Sequence, residues 1–301
     1  MRKVALVIAV LAAVVGCGAQ PVPRAAELPP LPAGARPFDL YRRADVMLVE
    51  KADLSLFNDC LAEAGYPQER ALGAEPDPVV PALFEPVISP RTEAEARKHG
   101  FGTPKRAQRA VIDRKEPAFL DAAARCEKSA REPLGDPHEV GALRDRYAEL
   151  GNALVQDRVK KVQAIMVAHS KGLTGCLAGR GYPLKPGEEF SVRGDLSQFG
   201  IKPGSYAPAR PVPVVRPAGL PASAAVVPAV PAREYKPSMA EAAFAIAFVR
   251  CGDSVGLFAA LDQAEIAIQQ QIVERHVSEF HGLNPRIEAL ASRAGEVLRG
   301  R

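Results

Sequence analysis

The sequence predicts an all-α protein, an elongated antiparallel helical bundle of two duplicated, disulfide-closed units with long Pro-rich loops. Three observations carry that expectation. Apolar residues step by three and four over long windows, the period of one helix face. The phrase "CLAEAGYP" (60–67) returns as "CLAGRGYP" (176–183), six of eight positions agreeing. Cys126 and Cys251 each follow an arginine at the end of an Ala-rich helical run.

Taken in order, the chain opens on "MRKVALVIAVLAAVVGCGAQ". Arg2 and Lys3 precede an uncharged apolar run, Val4 to Gly16. Spanning a bilayer takes about 20 apolar residues, so this run fits a secretory leader better than a membrane helix. Val14-Val15-Gly16-Cys17 resembles the bacterial lipobox, with an aliphatic residue three before the cysteine and a small one immediately before it. That resemblance implies that residues 1–16 are a lipoprotein signal peptide. It makes Cys17 the lipidated N-terminal residue of a protein anchored at the extracytoplasmic face of the cell membrane. Acyl chains hold firmly, since each buried methylene contributes about 0.8 kcal/mol. Residues 17–36 are Pro-rich and read as a tether lifting the body off the membrane.

The first helical unit is placed at 37–136. Val46, Val49, Ala52 and Leu56 step into Cys60, and Gly65 and Pro67 end that helix. The Pro-rich stretch 67–104 reads as an extended, solvated spacer or as a partner-binding strap. "AFLDAAARC" (118–126) is helical. Asp136 and Pro137 then stand as N-cap and first residue of a long helix over 138–180. That helix closes the first unit and begins the second, 137–301. Its stripe runs Val159, Val162, Met166, His169 and Leu173 into Cys176, and Gly181 and Pro183 stop it. The Pro-rich loop 183–237 follows, then the run "MAEAAFAIAFVRC" (239–251). A last helical stretch has its apolar stripe at Leu257, Leu261, Ala264, Ile268 and Ile272, continuing through Val277, Phe280, Ile287 and Leu290 to Leu298.

Four body cysteines allow three pairings. The duplication makes Cys60–Cys126 and Cys176–Cys251 the natural ones. Each closes a loop of about 65–75 residues, worth about 4 kcal/mol in the chain-entropy model. Zinc is a weaker reading, because no two cysteines stand at a CxxC-like spacing.

"CLAxxGYP", "RTEAEARKHGFG" (91–102) and "SVGLFAALDQAEIAIQQQIVERH" after an Ala-rich helix resemble a group of actinobacterial exported proteins and lipoproteins. The likeness extends over most of residues 40–298. It departs in the second loop, where "SVRGDLSQFG" lacks the Ala-rich piece. The resemblance supports a lipid anchor, a helical build and the cysteine pairing, and it implies no activity and no catalytic residue.

Chemistry is sparse. The chain carries 39 Lys+Arg against 35 Asp+Glu. Without the leader's Arg2 and Lys3 it is near neutral, and no basic–aromatic interleaving points to nucleic acid. His99, His138, His169, His276 and His281 are scattered. His276 and His281 are five apart, off the i,i+4 spacing of helical metal ligands, with Gly282 and Pro285 expected to disturb the helix. GxxxxGK[ST] and GxGxxG do not occur, and no GxSxG elbow is expected, the one match, "GDSVG" (252–256), closing a helical run. The runs Lys51, Asp53, Asp59, Glu63 and Asp157, Arg158, Lys160, Lys161 read as solvated helix faces.

The expected function is therefore a non-catalytic structural or binding role in the envelope. No cofactor or metal is expected. The partners are the membrane, through the lipid, and an envelope protein or wall polymer. Two alternatives stand beside it: an enzyme or metal site in an interhelical groove, and a coiled-coil-like homodimer through 257–298.

Overall fold

The computed structural model describes residues 31, 33–71, 76, 80–107, 111–188, 190, 196–208, 220, 224–227 and 230–300. The leader and Cys17 lie outside the described residues. Within them the chain is all-α with little sheet.

The spine is the long helix read from the sequence, which for numbering in chain order is α5 (Pro137–Gly179, 43 residues). At 1.5 Å per residue it is about 65 Å long. It starts as expected, with the Asp136 side chain accepting from the Glu139 amide. α1 (Arg43–Glu63) lies along its N-terminal half. α7 (Leu257–Arg275) and α8 (Val277–Arg299) return antiparallel along its length. Lys161 meets Gln271, Tyr147 meets Asn284, and the Leu134 carbonyl accepts from Arg293. α4 (Pro117–Ser129) covers the end of α1, and α6 (Met239–Ser254) covers the C-terminal half of α5. Short helices α2 (Gln68–Ala71) and α3 (Glu93–His99) belong to the first Pro-rich segment.

Two main cores sit along the spine. One gathers Val49, Tyr147, Leu154, Phe280 and Leu290 from α1, α5 and α8. The other gathers Met166, Leu177, Phe244, Val249 and Leu257 from α5, α6 and α7. Both exclude water from apolar faces too narrow to be stable singly.

The structure differs from the sequence reading in four places. The Pro-rich segments are not only solvated spacers. α3 packs on α6 of the other unit. β1 (Val111–Asp113) pairs antiparallel with β3 (Ala225–Val227), and β2 (Ser205–Tyr206) with β4 (Tyr235–Lys236). The second loop is thereby paired with itself and with the stretch just after the first loop, in the other unit. Pro285 does not interrupt α8. Its missing amide costs about 3 kcal/mol or more in a helix interior, and burial of Phe280, Leu283, Ile287 and Leu290 on one face offsets it.

That same stripe, on which the homodimer alternative through 257–298 rests, is covered within the molecule by α1 and α5. Finally, Asp53 and Arg158, read as solvated, are 5% and 6% exposed, whereas Val159, read as buried, is 40% exposed.

No single described helix is long and apolar enough to cross a membrane. α6 and α7 together pass on length and composition but are bent by 69°, and many of their apolar residues belong to the cores.

Candidate functional site

The repeated phrase is a helix-ending device, and the two copies share its two closing bonds. In α1 the Tyr66 amide donates to the Leu61 carbonyl at 2.9 Å, and Gly65 to Ala62 at 3.2 Å. In α5 Tyr182 donates to Leu177 at 2.9 Å, and Gly181 to Ala178 at 3.0 Å. This is the Schellman pattern, which needs a left-handed residue and is sealed by an apolar contact. Gly65 and Gly181 supply φ of +101° and +90°. The following tyrosine then meets, edge-on, the phenylalanine seven residues before the partner cysteine. Tyr66 and Phe119 have centroids 5.0 Å apart, Tyr182 and Phe244 5.1 Å.

Cys60–Cys126 and Cys176–Cys251 close beneath these caps, with Cα separations of 5.7 and 5.6 Å. Cys126 and Cys251 are buried, and Cys60 and Cys176 are partly exposed. Ser129 and Ser254 place a hydroxyl 4.0 and 3.6 Å from the outer sulfurs. All four predicted body cysteines are thus brought together in pairs, in a structural setting.

The histidines do not converge. His138 and His281 are exposed, and His169 is half-buried with Nδ1 2.9 Å from the Ile165 carbonyl. His276 joins α7 to α8, with Nε2 3.5 Å from Asp157 and Nδ1 3.2 Å from Glu279. Among the described residues no group of three His, Cys, Asp or Glu could hold a metal.

Four buried polar clusters escaped the sequence reading. Asp53 accepts from Arg131 at 2.7 Å and from Arg144 at 2.9 Å, while Arg144 also holds Glu50. Arg158 donates to the carbonyls of Ala82, Leu83 and Glu85 and to Glu265 at 3.0 Å. Those carbonyls stand at the end of the turn Pro81–Leu83, whose own closing bonds run to the Val80 and Pro81 carbonyls. Arg114 packs against the rings of both Tyr66 and Phe119 and pairs with Glu69 at 3.1 Å. Burial raises the Glu69 carboxyl above its ordinary range, against the pull of Arg114.

The fourth is Glu241, wholly buried at the start of α6. It accepts from the Phe101 amide at 2.9 Å, the Gly204 amide, and the Tyr235 hydroxyl at 2.7 Å. One carboxylate therefore pins both Pro-rich segments. Burial, with Glu241 beside it, pushes the Tyr235 phenol up to about 12.

A groove of about 680 Å³ opens where the chain enters the body. Tyr147 donates to Asn284 at 2.8 Å and accepts from the Arg42 amide at 2.9 Å. Asn284 donates to the Leu40 carbonyl at 2.9 Å, and Arg42 reaches Asp45 and Glu288. Burial pushes Tyr147 up to about 12 and Tyr41 higher still. These phenols remain protonated donors, and the charged groups neutralise one another. The arrangement fastens the entering chain to α5 and α8; it does not present a poised acid–base pair.

Compared with protein-family models, curated proteins and solved structures, the chain matches none.

Proposed function

We propose that the protein is a lipid-anchored module of the cell envelope, displayed outside the cytoplasmic membrane, with a non-catalytic structural or binding role. The observation that carries this reading is the use of the cysteines. Four are bridged in matching pairs, the pattern of an oxidising compartment. The fifth, Cys17, stands at the lipobox position after an apolar leader. The polar interior supports the same reading, because its carboxylates are spent on arginines, backbone amides and a phenol. Such residues hold shape and leave a surface, here the braced loops, to meet a protein or wall polymer.

Non-reducing peptide mass spectrometry on protein taken from its native membrane tests the proposal. The expected result is an acylated Cys17 at the mature N-terminus with 60–126 and 176–251 bridges. An intact Met1–Gly16, or free thiols at the body cysteines, would overturn it.

A further inference from the structure

We propose that the loop end of the second unit is a second membrane contact, a basic surface that takes anionic lipid headgroups. It is built from three segments locked together. Lys105 and Arg233 exchange backbone hydrogen bonds at 2.9 Å in both directions. β2 and β4 pair Ser205 with Lys236 and Tyr206 with Tyr235. Ser238 donates to the Lys202 carbonyl at 2.8 Å. Glu241 holds this assembly from beneath through Gly204 and Tyr235.

The charge on it is one-sided. Lys105, Lys202 and Lys236 are exposed and Arg233 is half-exposed, against one exposed carboxylate, Glu234. Among the described residues none of the four cations has a carboxylate within ion-pair reach. Lys105 instead sits 4.5 Å from the Tyr206 ring centroid, and Arg233 5.6 Å from it. Beside them Met239, at the first position of α6, is 90% exposed, the highest value among the exposed large apolar side chains.

Met239 decides between anionic partners. A soluble polyanion offers charge but no apolar phase, so an exposed methionine among lysines would gain nothing from it. A bilayer interface offers both, and each basic residue near an anionic surface contributes about 1 kcal/mol.

Position agrees. The entering chain is fastened at Tyr147, and the basic end lies beyond Gly179, about 50 Å further along α5. Leu31 packs on the first core, so the 14 residues 17–30 separate anchor from body and reach about 45 Å when extended, which lets anchor and basic end touch one bilayer when α5 lies along it. The inference rests on the envelope reading only for which membrane is met.

The chain contains no tryptophan, so Met239→Trp gives a single fluorophore at the contact. The acylated, full-length mature protein is mixed with phosphatidylcholine vesicles, or with vesicles that also contain phosphatidylglycerol, each with brominated acyl chains. Flotation on the neutral vesicles reports the anchor alone. The indole emission of the Met239→Trp variant should stay solvent-like there and become blue-shifted and quenched on the anionic ones. Lys202→Gln and Lys236→Gln should each weaken that contact about fivefold, the equivalent of about 1 kcal/mol per charge. Far-UV circular dichroism checks that the variants are folded. Failure to float on neutral vesicles counts against the anchor, and contact with anionic vesicles is then read by flotation of the same sample. Unquenched indole emission on anionic vesicles overturns the inference. Equal quenching on both vesicle types does so too, as does a response to soluble polyphosphate in place of lipid.

Discussion

Replacing Glu241 should loosen both Pro-rich segments at once, and the cost follows from its three partners. Glu241→Ala leaves the Phe101 amide, the Gly204 amide and the Tyr235 hydroxyl without their acceptor. A buried donor left unpaired costs about 1–3 kcal/mol, so the loss should be about 3–9 kcal/mol. That is a large share of the ~5–15 kcal/mol that holds a typical domain. Glu241→Gln keeps one acceptor oxygen but turns an amide group toward a donor, and should cost less than the alanine change. Urea unfolding followed by circular dichroism reads the total. Hydrogen exchange reads the location: amides of 101 and 204 should lose protection, while α1 and α8, in the other core, keep theirs. An alanine variant within about 1 kcal/mol of the parent would refute the reasoning. So would protection lost evenly over the whole chain, because the carboxylate would then not be a local latch.

Arg158→Met preserves length and apolar contact but strips donors from three carbonyls and Glu265. It should destabilise by about 3–5 kcal/mol, the cost of breaking a buried pair, as measured by urea midpoint. Asp53→Asn should cost less, about 1–3 kcal/mol, because the amide oxygen still accepts from one of its two arginines. In base, the raised phenols set the sign: Tyr147 and Tyr235 ionise more readily unfolded, near 10, than folded, near 12. Their contribution is therefore complete below pH 10 and is lost as pH rises toward 12. Absorbance at the phenolate band should show these groups ionising only with unfolding, and Tyr147→Phe should make stability less steeply dependent on pH in that window.

The helices were legible because they obey local rules. Asp136-Pro137 starts α5 and Gly65 and Gly181 end their helices as capping chemistry dictates. The cysteine pairing followed from the repeat. More was written there than the spacing of cysteines suggested. "AFLDAAARC" and "AFAIAFVRC" align residue for residue on Ala118-Phe119 and Ala243-Phe244, and those phenylalanines receive the two cap tyrosines. The charged faces were misread for a different reason. Periodicity places Asp53 and Arg158 on stripes, but composition argues that charges stay wet. What buries them is a partner distant in sequence: Arg144 lies 91 residues from Asp53, and the Leu83 carbonyl 75 from Arg158. Glu241 is hidden likewise, since two of its three donors come from loops 140 and 37 residues away. A single sequence marks neither donor.

The two copies share a frame and differ in what fills it, and that difference explains how the loops came to be braced. In the first copy the tyrosine and phenylalanine pack against Arg114, a cation neutralised by Glu69. In the second copy the same pair opens onto Phe101, Phe199 and Phe248, an apolar cluster that Tyr182 and Phe244 cannot close alone. Phe101 is supplied by the first Pro-rich segment and Phe199 by the second. Burial of each such ring contributes about 1.5–3 kcal/mol, so the second cap recruits both loops. Glu241, one turn before Phe244, then has two backbone amides within reach and fixes them. The strand ladder that pairs half-buried Tyr206 with buried Tyr235 follows from that recruitment. A repeated cap, filled in one copy by a cation and in the other by an aromatic cluster, thus ties two long loops into one surface at the end of the molecule.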